Sequence, residues 1–583
     1  MENVTLVTLD LSLMKKYISR LFNPKVAFLI IACCWGEVNY AQEGSSKPYS
    51  TQLIMVENHL RVGKYGDALM EMDRITDAYP SAAEVFYGKA LVLAQIGNLD
   101  GALENAIIAF DKEPSLLHGN YLVDLNRAKQ NNTEVLRLLT ELRARYPNQT
   151  AISRDLINTL TASKKLSEAQ QIFEEERSKG FTSDTLDIVM ADAYIQSNKI
   201  TEAKKLLIPL RGQSKLRHVY GSLAYVYGQE KKSKEAIKVL EEGLQLTNDP
   251  FLHLDLADIY KSTNKPTLTY LSLKKAFEAN SVEFGDKHRI MYSLMNTNNS
   301  FLTLDQLQDL ANVLVLQYPR IAESHIIKGE IVWRKGNVEE ARSLFLTAVG
   351  IHPKHVDAWR MLINTDLALN KVDDAIAHGR EALNINSGNP MLMYFTGLAF
   401  MVKDDLDSSR KLLEMALDHS ERENDFLKSN IYSSLGDLYH KLDMESASDV
   451  AYIEAITLDS TNVSAMNNLA YYLSVRGKDL DKAAEYAKNA NILEPNNPTF
   501  QDTYAWVLFR QGNYKDALLW MEKAIKGSNT PSAVLLEHYG DALAMNGNVK
   551  EAVKQWEKSL LIADEEVKVE KIKQKIKERK YVD

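Results

Sequence analysis

Residues 463–495 read VSAMNNLAYYLSVRGKDLDKAAEYAKNANILEP. The stretch divides into two helices around Gly477, which carries one extra residue in the turn, and Pro495 closes it. The plan repeats downstream as TYAWVLFRQGNYKDALLWMEKAIKG at 503–527 and EHYGDALAMNGNVKEAVKQWEKSL at 537–560. Upstream it recurs as GKALVLAQIGNLDGALENAIIAFDKEP at 88–114 and KGEIVWRKGNVEEARSLFLTAVGIHP at 328–353. The residue opening the second helix keeps the beat. Ala68, Ala102, Val135, Ala169, Ala203 and Ala236 follow one another in steps of 33 or 34, as do Leu307, Ala341, Ala375 and Ser409 in steps of 34. Ser448, Ala483, Ala517 and Ala552 continue it. A self-similar period of this length means a solenoid of helix pairs.

Each recurring position has a steric reason. Gly88, Ala191, Ala224, Ala257, Gly329, Gly397, Gly436, Ala505 and Gly540 sit midway along first helices, where a small residue lets the second helix approach. Tyr194, Tyr227, Tyr260 and Tyr439 lie three residues further on and are expected in the core, as are Trp359, Trp520 and Trp556. Glycines at Gly63, Gly97, Gly336, Gly512 and Gly547 supply a left-handed stop between helices. Pro80, Pro114, Pro147, Pro319, Pro353 and Pro495 forbid continuation of the second helix.

In these features the unit resembles the tetratricopeptide repeat. The resemblance covers nearly everything from Pro48 to Ala563 and gives about fifteen units. It implies an all-α, right-handed superhelical solenoid, closed by a charged capping helix at 564–583. We expect an N-terminal block at 48–280, an irregular junction at 281–302 around an Asn-Asn-Ser loop, and a C-terminal block at 303–563. In the last stretch, seven basic and two acidic residues lie between Lys568 and Lys580, with Val569, Ile572 and Ile576 as an apolar stripe. It reads as a solvating cap, or as a basic helix for anionic lipid or an acidic partner.

The N-terminus carries an address. From Met14, a possible true start, Lys15, Lys16, Arg20 and Lys25 precede an apolar core from Val26 to Trp35, the layout of a secretory signal over residues 1–41. One reading cleaves after Ala41; the other makes Cys33, in Ile30-Ile31-Ala32-Cys33, the acylated N-terminus of a lipoprotein attached to the membrane. A third leaves the segment uncleaved on a cytosolic protein. The two cysteines, Cys33 and Cys34, both fall in this run, so the body has neither a disulfide framework nor a thiol metal site.

Hydrophobic residues at 45% and charged residues at 25% fit a folded soluble body, and a formal charge of −9 gives no footprint for nucleic acid. Twelve histidines show no HExxH pair, and no GxSxG elbow, phosphate-binding loop or GxGxxG motif occurs. The repeats leave no room for a catalytic domain, so the expectation is a non-enzyme without metal or cofactor.

Binding residues follow from the resemblance. In arrays of this family, positions two, five, nine and twelve of each first helix face the groove. Arg360 and Asn364 then occupy positions that in some units clamp a terminal carboxylate, although Phe395 stands where the next unit should offer asparagine. Trp333, Tyr394, Met401, Tyr471, Trp506 and Phe509 map onto or near the groove wall, where aromatics could grip a segment; for Trp506 and Phe509 the alternative is core packing. The function implied is an exported scaffold or adaptor binding protein or peptide partners in the bacterial cell envelope, at the periplasm or outer membrane. The alternatives are a chaperone-like receptor for peptide or unfolded segments, and a cytosolic regulator.

Overall fold

A computed structural model describes residues 47–296, 301–563 and 566–582. Among these the chain is entirely helical, with a single 3-10 turn at Ile208–Leu210. It divides into two compact units, the first ending at Val282 and the second starting at Glu283. The first holds seven helix pairs between Ser50 and Glu278; the second holds eight between Phe284 and Ile562, then a lone helix Glu566–Glu578. Seven and eight make the fifteen pairs that the period predicts.

The small residues do the work expected of them. Ala68, Ala102, Ala203, Ala341, Ala375, Ala483, Ala517 and Ala552 are wholly buried. Where glycine stands on the opposing helix, as at Gly329 and Gly540, there is no space for even a methyl group. A Cβ on Gly329 would lie 2.6 Å from Phe345 Cε1, and one on Gly540 would lie 2.5 Å from Trp556 Cδ1. Phe345 and Trp556 fill those notches and are fully buried, a contribution of roughly 2–3 kcal/mol for an aromatic ring such as Phe345.

Helix ends obey local chemistry. Gly97, Gly336, Gly512 and Gly547 stop first helices with φ between 82° and 88°. In other units Asn198, Asn264 and Asn370 hold the same left-handed position, asparagine being the side chain that tolerates it best. Pro80, Pro114, Pro147, Pro319, Pro353 and Pro495 each stand two residues beyond the last helical residue. Pro209 acts earlier: it ends the Ile200–Leu207 helix after eight residues and starts the 3-10 turn.

Two expectations change here. The boundary between the two units falls inside the stretch at 281–302, whose Asn-Asn-Ser loop lies outside the described residues, but part of that stretch is regular. Phe284–Met295 is a helix that pairs with Leu304–Gln317, because Met291, Leu294 and Met295 give it a buried face and Thr303 and Gln306 form a capping box for its partner. Trp520, Tyr227, Tyr260 and Tyr439, expected in the core, are only half-buried, Trp520 lying edge-on to Tyr504 at 5.0 Å with Lys523 Nζ over its ring at 3.9 Å. The signal sequence and Cys33 lie outside the described residues.

Candidate functional site

Within the first unit, three successive first helices stand side by side: Asp184–Gln196, Arg217–Gln229 and Phe251–Ser262. Their packing faces are spent on the small residues Ala191, Ala224 and Ala257 and on Leu186, Leu223 and Leu256, all buried. The next face round the helix is free to line a groove. On the middle helix that face carries Gly221 and Gly228, seven residues or two turns apart, so it has backbone where its neighbours have side chains. The result is a cavity of about 290 Å³. Ile195, Ala224, Tyr225 and Ile259 give it apolar walls; Asp192, Asp255 and Asp258 bring carboxylates.

The electrostatics of this cavity are unusual for the molecule. Asp192 accepts one hydrogen bond, from Ser222 Oγ at 2.8 Å, and burial pushes its carboxyl up to about 6. Asp255 lines the cavity half-buried, and no group of the chain donates a hydrogen bond to it; a Cβ on Gly221 would come within 3.2 Å of its Oδ2. Desolvation, with Asp258 and Asp249 adding like charge, raises its carboxyl to about 7, and Arg217 only partly opposes this. Asp258 is raised too, by desolvation against a pull from Lys261. Arg217 is otherwise engaged: its Nε lies 3.5 Å from Asp249 Oδ2 and its guanidinium 4.4 Å from the Phe251 ring. The His218 imidazole, desolvated and next to Arg217, is held below its usual value. The cavity therefore gathers carboxylates whose charge the protein leaves poorly compensated.

The residues expected at the groove from sequence lie in the second unit. Arg360 is half-buried and its Nε donates to Asp357 Oδ1 at 3.1 Å, with Glu330 on the preceding first helix also in its field. Its charge is thus already shared between two carboxylates, and Asn364 is half-buried one turn further on. Trp333 is half-buried, with its ring 6.4 Å from Phe345. Tyr394 is half-buried, its hydroxyl 3.4 Å from Ser434 Oγ, and Tyr471 packs edge-on to Tyr472 at 5.7 Å.

Trp506 and Phe509 belong to the core rather than to an open groove. Only 8% and 3% of their surfaces are exposed. The two rings stack at 5.0 Å, His538 stacks on Trp506 at 4.0 Å, and Tyr581 meets Phe509 edge-on at 5.0 Å. The reason lies at the end of the chain. The Glu566–Glu578 helix buries Ile572 and drives Lys575, 3% exposed, between Glu537 Oε1 and Asp541 Oδ2 at 2.7 Å each. Asp541 also accepts from Trp556 Nε1 at 2.9 Å, which ties the basic helix to the last repeat. Sequence reading found the apolar stripe of this helix but not where the tail beyond it runs.

It also missed the cavity of the first unit. The signal was present as GSLAYVYG at 221–228: two glycines on one face of a helix, the mid-helix Gly221 costing about 1 kcal/mol of helix propensity against alanine. Among the described residues, no group of three or more His, Cys, Asp or Glu side chains is placed to hold a metal ion, and no helix is long and apolar enough to cross a membrane.

Comparison with known proteins agrees with this architecture. A tetratricopeptide-repeat family model matches residues 55–113, 307–356, 328–390 and 505–566, and a second model of the same description matches 218–250. A TPR repeat-containing protein of Pseudomonas aeruginosa, PA4667, is 28% identical over 102 residues, 17% of either chain. The human protein O-mannosyl-transferase TMTC3 is 19% identical over 277 residues, 45% of this chain and 30% of that one. The chain thus spans well under half the length of the curated relatives it matches. Among solved structures, a tetratricopeptide repeat protein from Parabacteroides merdae aligns over 44% of this chain and 98% of its own, at 16% identity and a TM-score of 0.34. With its period, its helix pairs and its interlocking small and large residues, the chain is built from tetratricopeptide repeats.

Proposed function

We propose that this protein is an exported scaffold or adaptor that holds segments of partner proteins against its first helices, in a bacterial cell envelope. The observation that carries the reading is the cavity between the Asp184, Arg217 and Phe251 helices, where Gly221 and Gly228 leave room for side chains that the protein does not supply. Within a unit, helix pairs that stack on their neighbours expose a face of successive first helices, and such a face suits an extended segment gripped at many weak points. The basic residues before Val26 and the apolar core after it support export, with release after Ala41 or acylation at Cys33 as the two outcomes. A carboxylate clamp at Arg360 and Asn364 has less support, since Asp357 and Glu330 already share the arginine. No catalytic step is proposed.

The test is crosslinking in cells followed by affinity capture, comparing wild type with Gly221→Phe, which fills the cavity. Loss of specific envelope partners in the variant is the expected result. Retention of every partner would sink the groove assignment. Sequencing the N-terminus of the native protein decides export: an intact Met1 or Met14 would refute it.

A further inference from the structure

We infer that the cavity of the first unit receives a basic side chain, lysine or arginine, from an extended segment of a partner protein. This rests on the groove reading above and names the chemistry that the groove selects.

The shape comes first. Gly221 and Gly228 remove two side chains from the floor, and a Cβ at Gly228 would meet nothing within 4 Å. The opening made in this way has apolar walls from Ile195, Ala224, Tyr225 and Ile259, a sleeve suited to the methylene stem of a long side chain. A cavity of about 290 Å³ has room for such a side chain.

The charge comes second. Asp192 enters from one neighbouring helix and Asp255 and Asp258 from the other, so a cation in the cavity meets carboxylates from both walls. Every charged group facing the site can be named. The cations are Arg217, already committed to Asp249 and the Phe251 ring, and Lys261, an exposed residue beyond Asp258. The anions are Asp192, Asp249, Asp255 and Asp258, and His218 is held toward its neutral form. Asp255 is the telling member: it lines the cavity without accepting any hydrogen bond. A half-buried carboxylate that no group of the chain bonds carries a desolvation cost, and an ammonium or guanidinium donating into the cavity offsets it. An anionic or purely apolar occupant would leave it in place.

Proton linkage supplies a signature. The raised carboxyls of Asp192 and Asp255 must ionise to hold a cation, so binding releases protons and tightens with pH. With Asp255 at about 7, its ionised fraction falls about thirtyfold between pH 8 and pH 5.5.

The experiment uses full-length protein and four fluorescein-labelled, end-capped dodecapeptides of glycine and serine. They carry three lysines, three arginines, three norleucines or three glutamates, and binding is read by anisotropy at constant ionic strength. The lysine or the arginine peptide should bind at pH 8 at least tenfold more tightly than the norleucine and glutamate peptides, and the better of the two identifies the preferred side chain. The double variant Asp192→Asn, Asp255→Asn should lose at least tenfold in affinity, and its residual binding should weaken less than that of wild type between pH 8 and 5.5. Circular dichroism melting of the same variant, expected to be no less stable than wild type, excludes unfolding as the cause. Equal binding of the norleucine peptide, or unchanged affinity in the double variant, overturns the assignment. If Gly221→Phe abolishes partner capture in cells while basic peptides fail to bind, the groove stands and the basic side chain falls. If Gly221→Phe leaves capture unchanged, both fall.

Discussion

Replacing Asp255 by asparagine should stabilise the first unit, and the gain should depend on pH. The carboxyl rises from 3.8 to about 7 on folding because its charged form is desolvated and sits near Asp258 and Asp249. A carboxyl whose folded value is raised takes up a proton on folding between those two pH values. It therefore burdens the folded state progressively as pH climbs from about 4 to about 7, with the full burden above 7 and almost none below 4. The rise converts to a ceiling of ~4 kcal/mol at roughly 1.36 kcal/mol per pH unit. Water entering the cavity screens part of this, which leaves about 1–2 kcal/mol. Asparagine keeps the shape and lacks the charge.

Because a repeat array opens locally, a single melting curve blurs this gain, and peptide-resolved hydrogen exchange is the right assay. Amides of the Arg217–Gln229 and Phe251–Ser262 helices should exchange roughly 5- to 30-fold more slowly in Asp255→Asn at pH 8, after correction for intrinsic rates. At pH 4 the two proteins should match. Faster exchange at pH 8, or an equal gain at both pH values, would refute the electrostatic account of the cavity.

Three further outcomes test the packing. Gly540→Ala places a methyl 2.5 Å from Trp556 Cδ1 and should cost about 1–3 kcal/mol, seen as faster exchange in the Ala533–Met545 and Val549–Ile562 helices; neutrality would mean the notch is not tight. Lys575→Met leaves Glu537 and Asp541 without their cation and should loosen the Glu566–Glu578 helix by about 3–5 kcal/mol, so limited proteolysis should remove the tail first and Trp506 fluorescence should change with it. Arg360→Ala removes a surface pair with Asp357 and should shift stability by no more than ~0.5 kcal/mol in a urea titration; a larger loss would show that Arg360 braces the helix.

The period was legible because the contact that makes a helix pair is the same in every unit. Gly329 against Phe345, Gly436 against Tyr452 and Gly540 against Trp556 are one steric solution used three times, and repetition exposes it to inspection of the sequence alone. The tail was not legible for the opposite reason. Phe509 and Tyr581 meet across 72 positions through a contact made once, so no beat announces it, and a ring at a groove position looks the same whether a partner or the chain's own terminus covers it. Arg360 fails in a third way. Its spacing suits a clamp, but Asp357, three residues away on its own helix, claims the guanidinium first.

Groove positions differ from unit to unit, so they must be read as departures from a local rule. In the Arg217–Gln229 helix the departure is glycine at both Gly221 and Gly228, the first costing about 1 kcal/mol of helix propensity and the second, in the last turn, less, with no positive φ to require either. Gly243 nearby shows the ordinary reason for a helical glycine, since a Cβ there would press on Tyr220 Cγ at 2.5 Å. Gly228 has no such neighbour, and Gly221 borders only the Asp255 carboxylate. Packing thus explains one glycine of three. The other two give up stability at the place where three carboxylates also do so, and two independent costs meeting in one cavity argue for a site whose occupant comes from outside the chain.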